Sequence, residues 1–149
     1  MNSSIIELWE QRRLPTRSAL SFADGTAIPL AIVESPILTL TKGAAFGMNQ
    51  FFEQNPDDLT CIEIFKTLPL RHDGSCCVGE GSHGSEGFVA CLDEAQSLRW
   101  VIYLDHSNPF DDIDEVAAGT IVALSTAGLA LRVDVENPLA MSLIRQPRW

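Results

Sequence analysis

Positive charge is scarce in this chain, and through one long stretch it is almost absent. Between residues 72 and 131 the single base is Arg99, against ten acids: Asp73, Glu80, Glu86, Asp93, Glu94, Asp105, Asp111, Asp112, Asp114 and Glu115. No lysine follows Lys66. A field this lopsided repels phosphate backbones and anionic lipid, so neither nucleic acid nor a membrane surface is an expected partner. It attracts cationic surfaces instead. The 149 residues carry a net charge of −10, and outside the acidic stretch acids and bases nearly balance.

Long apolar runs are also missing. Every apolar stretch is much shorter than a bilayer span and is broken by Pro, Glu or Asp, so no membrane helix is expected. Residues 1–10 have no basic segment, and Glu7 interrupts their apolar run. A signal peptide is therefore not expected, and the cytoplasm is the expected compartment. The four cysteines, Cys61, Cys76, Cys77 and Cys91, include no C-x-x-C pair. A chain this long can bury a core without covalent staples, which favours reduced thiols.

The pattern that is present predicts one domain over residues 1–149, of α+β class: a mainly antiparallel β-sheet with one or two short helices packed against it. Residues 3–13 read as an amphipathic helix with Ser3 or Ser4 as N-cap and Trp9 facing the sheet. A hairpin is expected over 18–22 and 26–33, because Asp24-Gly25 supplies the positive φ of a tight turn. Pro29 marks an edge or irregularity in its second strand. Further strands are expected at 37–41 and 59–65, with a helical turn or two over 46–54 between them. Residues 72–87 read as a Gly/Ser-rich loop. Two more hairpins follow, at 88–92 with 98–104 and at 120–124 with 129–135, separated by an acidic, turn-rich connection over 105–114. Asn137-Pro138 reads as a stop, and the tail ending in Trp149 as frayed.

The segment 71–91 gathers most of the reactive side chains. His72, Cys76 and His83 are the alternative ligand set for a metal ion, yet Cys76 and Cys77 are adjacent and point to opposite sides of an extended chain. A cysteine nucleophile at Cys76 or Cys77 would need His83 or His106 as base, and the surrounding negative charge disfavours thiolate. Cys61 and Cys91 sit in apolar strand patterns and read as small core residues. Residues 79–84 (Gly-Glu-Gly-Ser-His-Gly) lack the Lys-Ser/Thr of a phosphate loop, and Asp111, Asp112, Asp114 and Glu115 lack the Gly and closing Glu of an EF-hand. No catalytic residue and no cofactor is implied.

The late segment 100–110, Trp-Val-Ile-Tyr-Leu-Asp-His-Ser-Asn-Pro-Phe, is followed by two short strands. With its size, acidity, mixed α+β character and lack of a catalytic motif, the chain resembles bacterial immunity proteins of toxin–immunity systems, contact-dependent inhibition included. That resemblance implies a non-catalytic binder that neutralises a cationic toxin domain in the cytoplasm, with contacts in 80–86 and 105–115. The charge pattern names the expected partner-binding residues: Glu80, Glu86, Asp105, Asp111, Asp112, Asp114 and Glu115, on one exposed acidic face. The alternative is a small enzyme or metal-binding protein built on the His/Cys segment 72–91, which requires those side chains to converge.

Overall fold

The structure, a computed structural model, describes residues 4–146. In chain order the elements are α1 (Ser4–Glu10), β1 (Arg13–Pro15), β2 (Ala19–Phe22), β3 (Thr26–Val33), β4 (Thr39–Lys42), β5 (Phe46–Gly47) and α2 (Met48–Gln54). Then come β6 (Leu59–Pro69), β7 (Ser75–Gly81), β8 (Gly87–Leu92), β9 (Leu98–Leu104), β10 (Phe110–Ala117), β11 (Thr120–Ser125), β12 (Leu129–Asp134) and β13 (Asn137–Arg145). Strand accounts for 57% and helix for 10%, so the fold is mainly antiparallel sheet and more β-rich than an even α+β mixture.

The strands form two sheets. The larger runs β1-β6-β7-β8-β9-β2-β3-β4, with β5 also paired to β3; the smaller is the meander β10-β11-β12-β13. Period-two alternation gives the central strands two buried faces. Val78, Val89, Cys91, Trp100 and Ile102 point toward Phe110, Ile121, Leu131 and Val133 of the small sheet. On the opposite face Cys77, Phe88, Ala90, Val101 and Tyr103 meet Ile5 and Trp9 of α1 and Met48 of α2. Trp9 stands edge-on to Phe88, centroids 5.8 Å apart, and the Trp100 indole donates to the Val135 carbonyl at 3.0 Å. Three layers result: helices, large sheet, small sheet.

The open flanks of the sandwich are tied by polar links. On one flank Lys66 of β6 meets Asp112 of β10 at 2.6 Å, and Arg71 donates its amide to the Glu115 carboxylate at 2.7 Å. On the other, Lys42 of β4 donates to the Met141 carbonyl of β13 at 3.1 Å, and Arg145 pairs with Glu34 at 2.9 Å. The registers Glu80↔Gly87 and Gly87↔Leu104 define a near end of the sandwich, and Ser75↔Leu92 with Leu92↔Leu98 a far end. Six residues of strand, Gly87–Leu92, separate the two by about 17 Å.

Five expectations are corrected here. Residues 75–81 are not loop but a central strand paired on both sides. Their glycines permit close approach rather than turning: a Cβ on Gly79 would lie 1.9 Å from the Glu63 carbonyl oxygen. Part of the acidic connection, from Phe110 onward, is β10, whose period is broken by two register shifts. Asn137-Pro138 begins a strand instead of ending one; Pro needs no partner for an N–H at a strand start. The first helix stops at Glu10 because Arg13–Pro15 pairs with β6. Cys61 is exposed rather than core. Ser3 and Trp149 lie outside the described residues.

The hairpins over β2–β3, β8–β9 and β11–β12 form where turn chemistry placed them, with Gly25 at φ +92° and Gly128 at φ +77°. Pro29 marks the place where β3 leaves β2: it pairs with Ala19, and from Leu30 onward the partner is β4.

Candidate functional site

Folding spreads the acids over both ends and one flank of the sandwich instead of placing them on one face. Register puts Glu80, Glu86 and Asp105 at the near end and Asp93 and Glu94 at the far end. Two expected contact residues are withdrawn from solvent altogether, Glu86 at 2% and Glu115 at 7% exposure. Glu115 accepts from the Gly119 amide at 2.9 Å and the Arg71 amide at 2.7 Å. The Gly119 amide first, then Arg71 with its guanidinium, hold this carboxyl below the usual glutamate range. Asp112 is half-buried and bound to Lys66, and Glu80 and Asp111 are half-buried. Asp105 and Asp114 remain exposed. Carboxylates in this sequence are thus partly structural, joining the two sheets where neighbouring strands bring a donor.

Glu86 is the clearest case. One carboxylate oxygen accepts from the Thr60 hydroxyl at 2.9 Å and the His83 amide at 2.9 Å, with the His83 ring nitrogen at 3.2 Å. The other accepts from the Tyr103 hydroxyl. Burial opposes ionisation of Glu86, but the Tyr103 hydroxyl, the His83 amide, Thr60 and the His83 ring together outweigh it and keep the carboxyl below its ordinary range. Burial and then the hydrogen bond to Glu86 push the Tyr103 phenol upward, so it remains a donor. Thr60 also accepts from the Ser82 amide at 2.9 Å, which fixes the turn between β7 and β8. Thr60→Val is expected to destabilise the protein by about 1–2 kcal/mol, read by urea denaturation, because it leaves the Ser82 amide and one Glu86 lone pair unmatched.

The structure does bring the two expected contact segments together at the near end. The Asn108 amide donates to the Ser85 carbonyl at 2.8 Å, and the Ser85 hydroxyl donates to the Asp105 carbonyl at 3.0 Å. The Ser18 hydroxyl reaches the Asp105 carboxylate at 2.7 Å, so residues 16–18 join the same surface. Asp57 and Asp58 are exposed beside it, the Asp58 carbonyl accepting from the Thr16 amide at 2.9 Å.

Past this end the β3–β4 hairpin continues beyond β2 as an arm, since Leu30–Val33 pair with β4 and no longer with β2, and Lys42 and Glu34 tie it to β13. Its tip exposes Ile37 at 74% and Val33 at 40%. Between arm and sandwich lies a cleft of about 560 Å³ lined by Arg17, Ser18, Ala31, Lys42, Asp105 and His106 among others. Arg17 is held on its rim by the ring of Phe46, 5.1 Å from the centroid. The charge pattern carries no sign of this arm. Its signal was apolar Val33 and Ile37 on either side of Glu34-Ser35-Pro36.

The His/Cys segment does not converge. His72 is exposed beyond β6, next to Arg71, at the far end, while His83 is exposed at the near end. Cys76 faces the small sheet and Cys77 the helices. Burial raises the Cys77 thiol to about 12, against a lowering by Arg12. No group of three or more His, Cys, Asp or Glu among the described residues could hold a metal ion. His106 lies 3.8 Å from Asp105, both exposed, beside the cleft. No helix of the described residues is long and apolar enough to cross a membrane. No family model, no curated protein and no solved structure matches this chain.

Proposed function

We propose that this chain is a non-catalytic acidic binding protein that engages a basic protein partner through its near end. Its likeness to immunity proteins makes a cationic toxin domain, neutralised in the cytoplasm, the partner class to seek first. The observation that carries the reading is the exposed tip of the β3–β4 hairpin, Ile37 at 74%, at the end of the sandwich that also carries the exposed Asp57, Asp58 and Asp105. Protein interfaces draw lasting contact from a few apolar anchors, whereas complementary charge speeds encounter and selects the partner. Ile37 and Val33 supply anchors, and the net charge of −10 supplies the field. Glu86 and Glu115 drop out of the contact set because each is engaged inside the fold, and Asp112 is occupied by Lys66.

The test is co-purification from the native host at low ionic strength, with the retained protein identified and then titrated back onto the purified chain. A basic protein is expected to bind stoichiometrically and to weaken as salt rises. Ile37→Asp is expected to reduce its affinity by about tenfold or more, while Glu94→Lys at the far end changes it by about twofold at most. Retention of no cationic protein would remove the proposal, and so would equal losses from the two substitutions.

A further inference from the structure

Cys76 and Cys91 are direct cross-strand partners in β7 and β8, and both are fully buried on the face that meets the small sheet. Directly opposed residues of an antiparallel pair have Cα atoms about 4.5–5.5 Å apart. That lies inside the range a disulfide spans. The two groups shift one another's ionisation, Cys91 downward and Cys76 upward. Cys77, next in sequence, points into the other core and cannot share this partner.

The only base of the acidic stretch is aimed at this pair. The β8–β9 register slips between Cys91↔Trp100 and Leu92↔Leu98, leaving Arg99 as an extra residue. Such a bulge re-aims a side chain: Leu98 faces the helices, Trp100 the small sheet. The Arg99 guanidinium lies 3.9 Å from the Cys91 sulfur and pairs outward with Glu136 at 2.8 Å. Its side chain is 31% exposed, so it forms a cover between the buried sulfur and solvent.

We infer that Cys91 and Cys76 form a reversible cross-strand disulfide when the protein meets hydrogen peroxide, Cys91 reacting first. The Cys91 thiolate, favoured by the Cys76 thiol donor and then by Arg99, attacks one peroxide oxygen. The O–O bond breaks, Cys91 becomes a sulfenic acid, and the departing hydroxide leaves as water with the thiol proton. The Cys76 sulfur then displaces hydroxide from Cys91, forming the S–S bond, and its proton completes a second water. Two electrons pass from the dithiol to the peroxide, and two waters form per bridge. A dithiol reductant reverses the step.

The experiment treats the folded protein with hydrogen peroxide in a Cys61→Ser background, which removes the exposed thiol, and maps links by mass spectrometry. Cleavage after Glu80 and Glu86 separates the two cysteines into different peptides. The expected product is a Cys76–Cys91 linked pair lacking two hydrogens and restored by dithiothreitol. Cys76→Ser is expected to stop at a Cys91 sulfenic acid trapped by dimedone. Arg99→Gln, which removes the charge and keeps a polar side chain, is expected to slow bridge formation by about tenfold, the effect of one pKa unit in thiolate population. A Cys76–Cys77 link, a Cys91 sulfinic acid with no link, or no reaction below the denaturation midpoint would each overturn the assignment. An unchanged rate in Arg99→Gln would remove Arg99 from it.

Discussion

Glu86→Ala is expected to lower the unfolding free energy by about 3 kcal/mol in urea denaturation, or roughly 10 °C in Tm for a chain of this size. The substitution removes one acceptor shared by three donors: the Tyr103 hydroxyl, the Thr60 hydroxyl and the His83 amide. Buried donors without acceptors each cost about 1–3 kcal/mol, with less than full additivity. The same residue gives a pH dependence with a definite sign. The folded carboxyl is held below the value it has in the unfolded chain, where it titrates near the usual glutamate pKa of about 4.3. Below that value the unfolded state takes up protons first, so stability falls as pH drops toward the folded pKa. Above it the contribution is fully present. Glu86→Gln should therefore flatten the acid limb of a stability-against-pH curve. It should not abolish it, because Glu115 and Glu136 are also held low.

Gly79→Ala is expected to cost about 3 kcal/mol or more and to leave little folded protein at 37 °C. The new Cβ would fall 1.9 Å from the Glu63 carbonyl oxygen and 2.8 Å from the edge of Phe88. The first contact is backbone of the neighbouring strand, so relief requires β6 and β7 to part. Gly84→Ala is the paired measurement. Gly84 has φ +90°, and a Cβ there would meet nothing within 4 Å, so only local backbone strain applies, about 1 kcal/mol. If both variants lose the same stability in denaturant melts, close strand approach is not what Gly79 provides.

These two residues also show what a linear reading misses. Turns were legible because their chemistry is local: Asp24-Gly25 and Gly128 need positive φ, and hairpins form there. Strand β7 was not legible, because glycine and serine signal loops in sequence while here Gly79 and Gly81 make room for Glu63 and Glu86. Strand β10 hid because its bulges break the alternation that would have marked it. The two segments named for contact, 80–86 and 105–115, do meet at one end, through Ser85 with Asp105 and Asn108. Which of their carboxylates face outward was invisible, since burial of Glu86 depends on Tyr103 and Thr60, brought in by separate strands. Charge counting identifies a field and not a surface.

Hydrogen–deuterium exchange of the chain with and without its captured basic partner tests the binding account at the level of geometry. Amides of residues 16–18, 34–35, 37–38 and 105–108 are expected to slow on complex formation, while those of the opposite turn at 93–97 keep their free rates. Protection confined to 93–97 and the neighbouring 117–119 turn, with the β3–β4 arm unchanged, would contradict it.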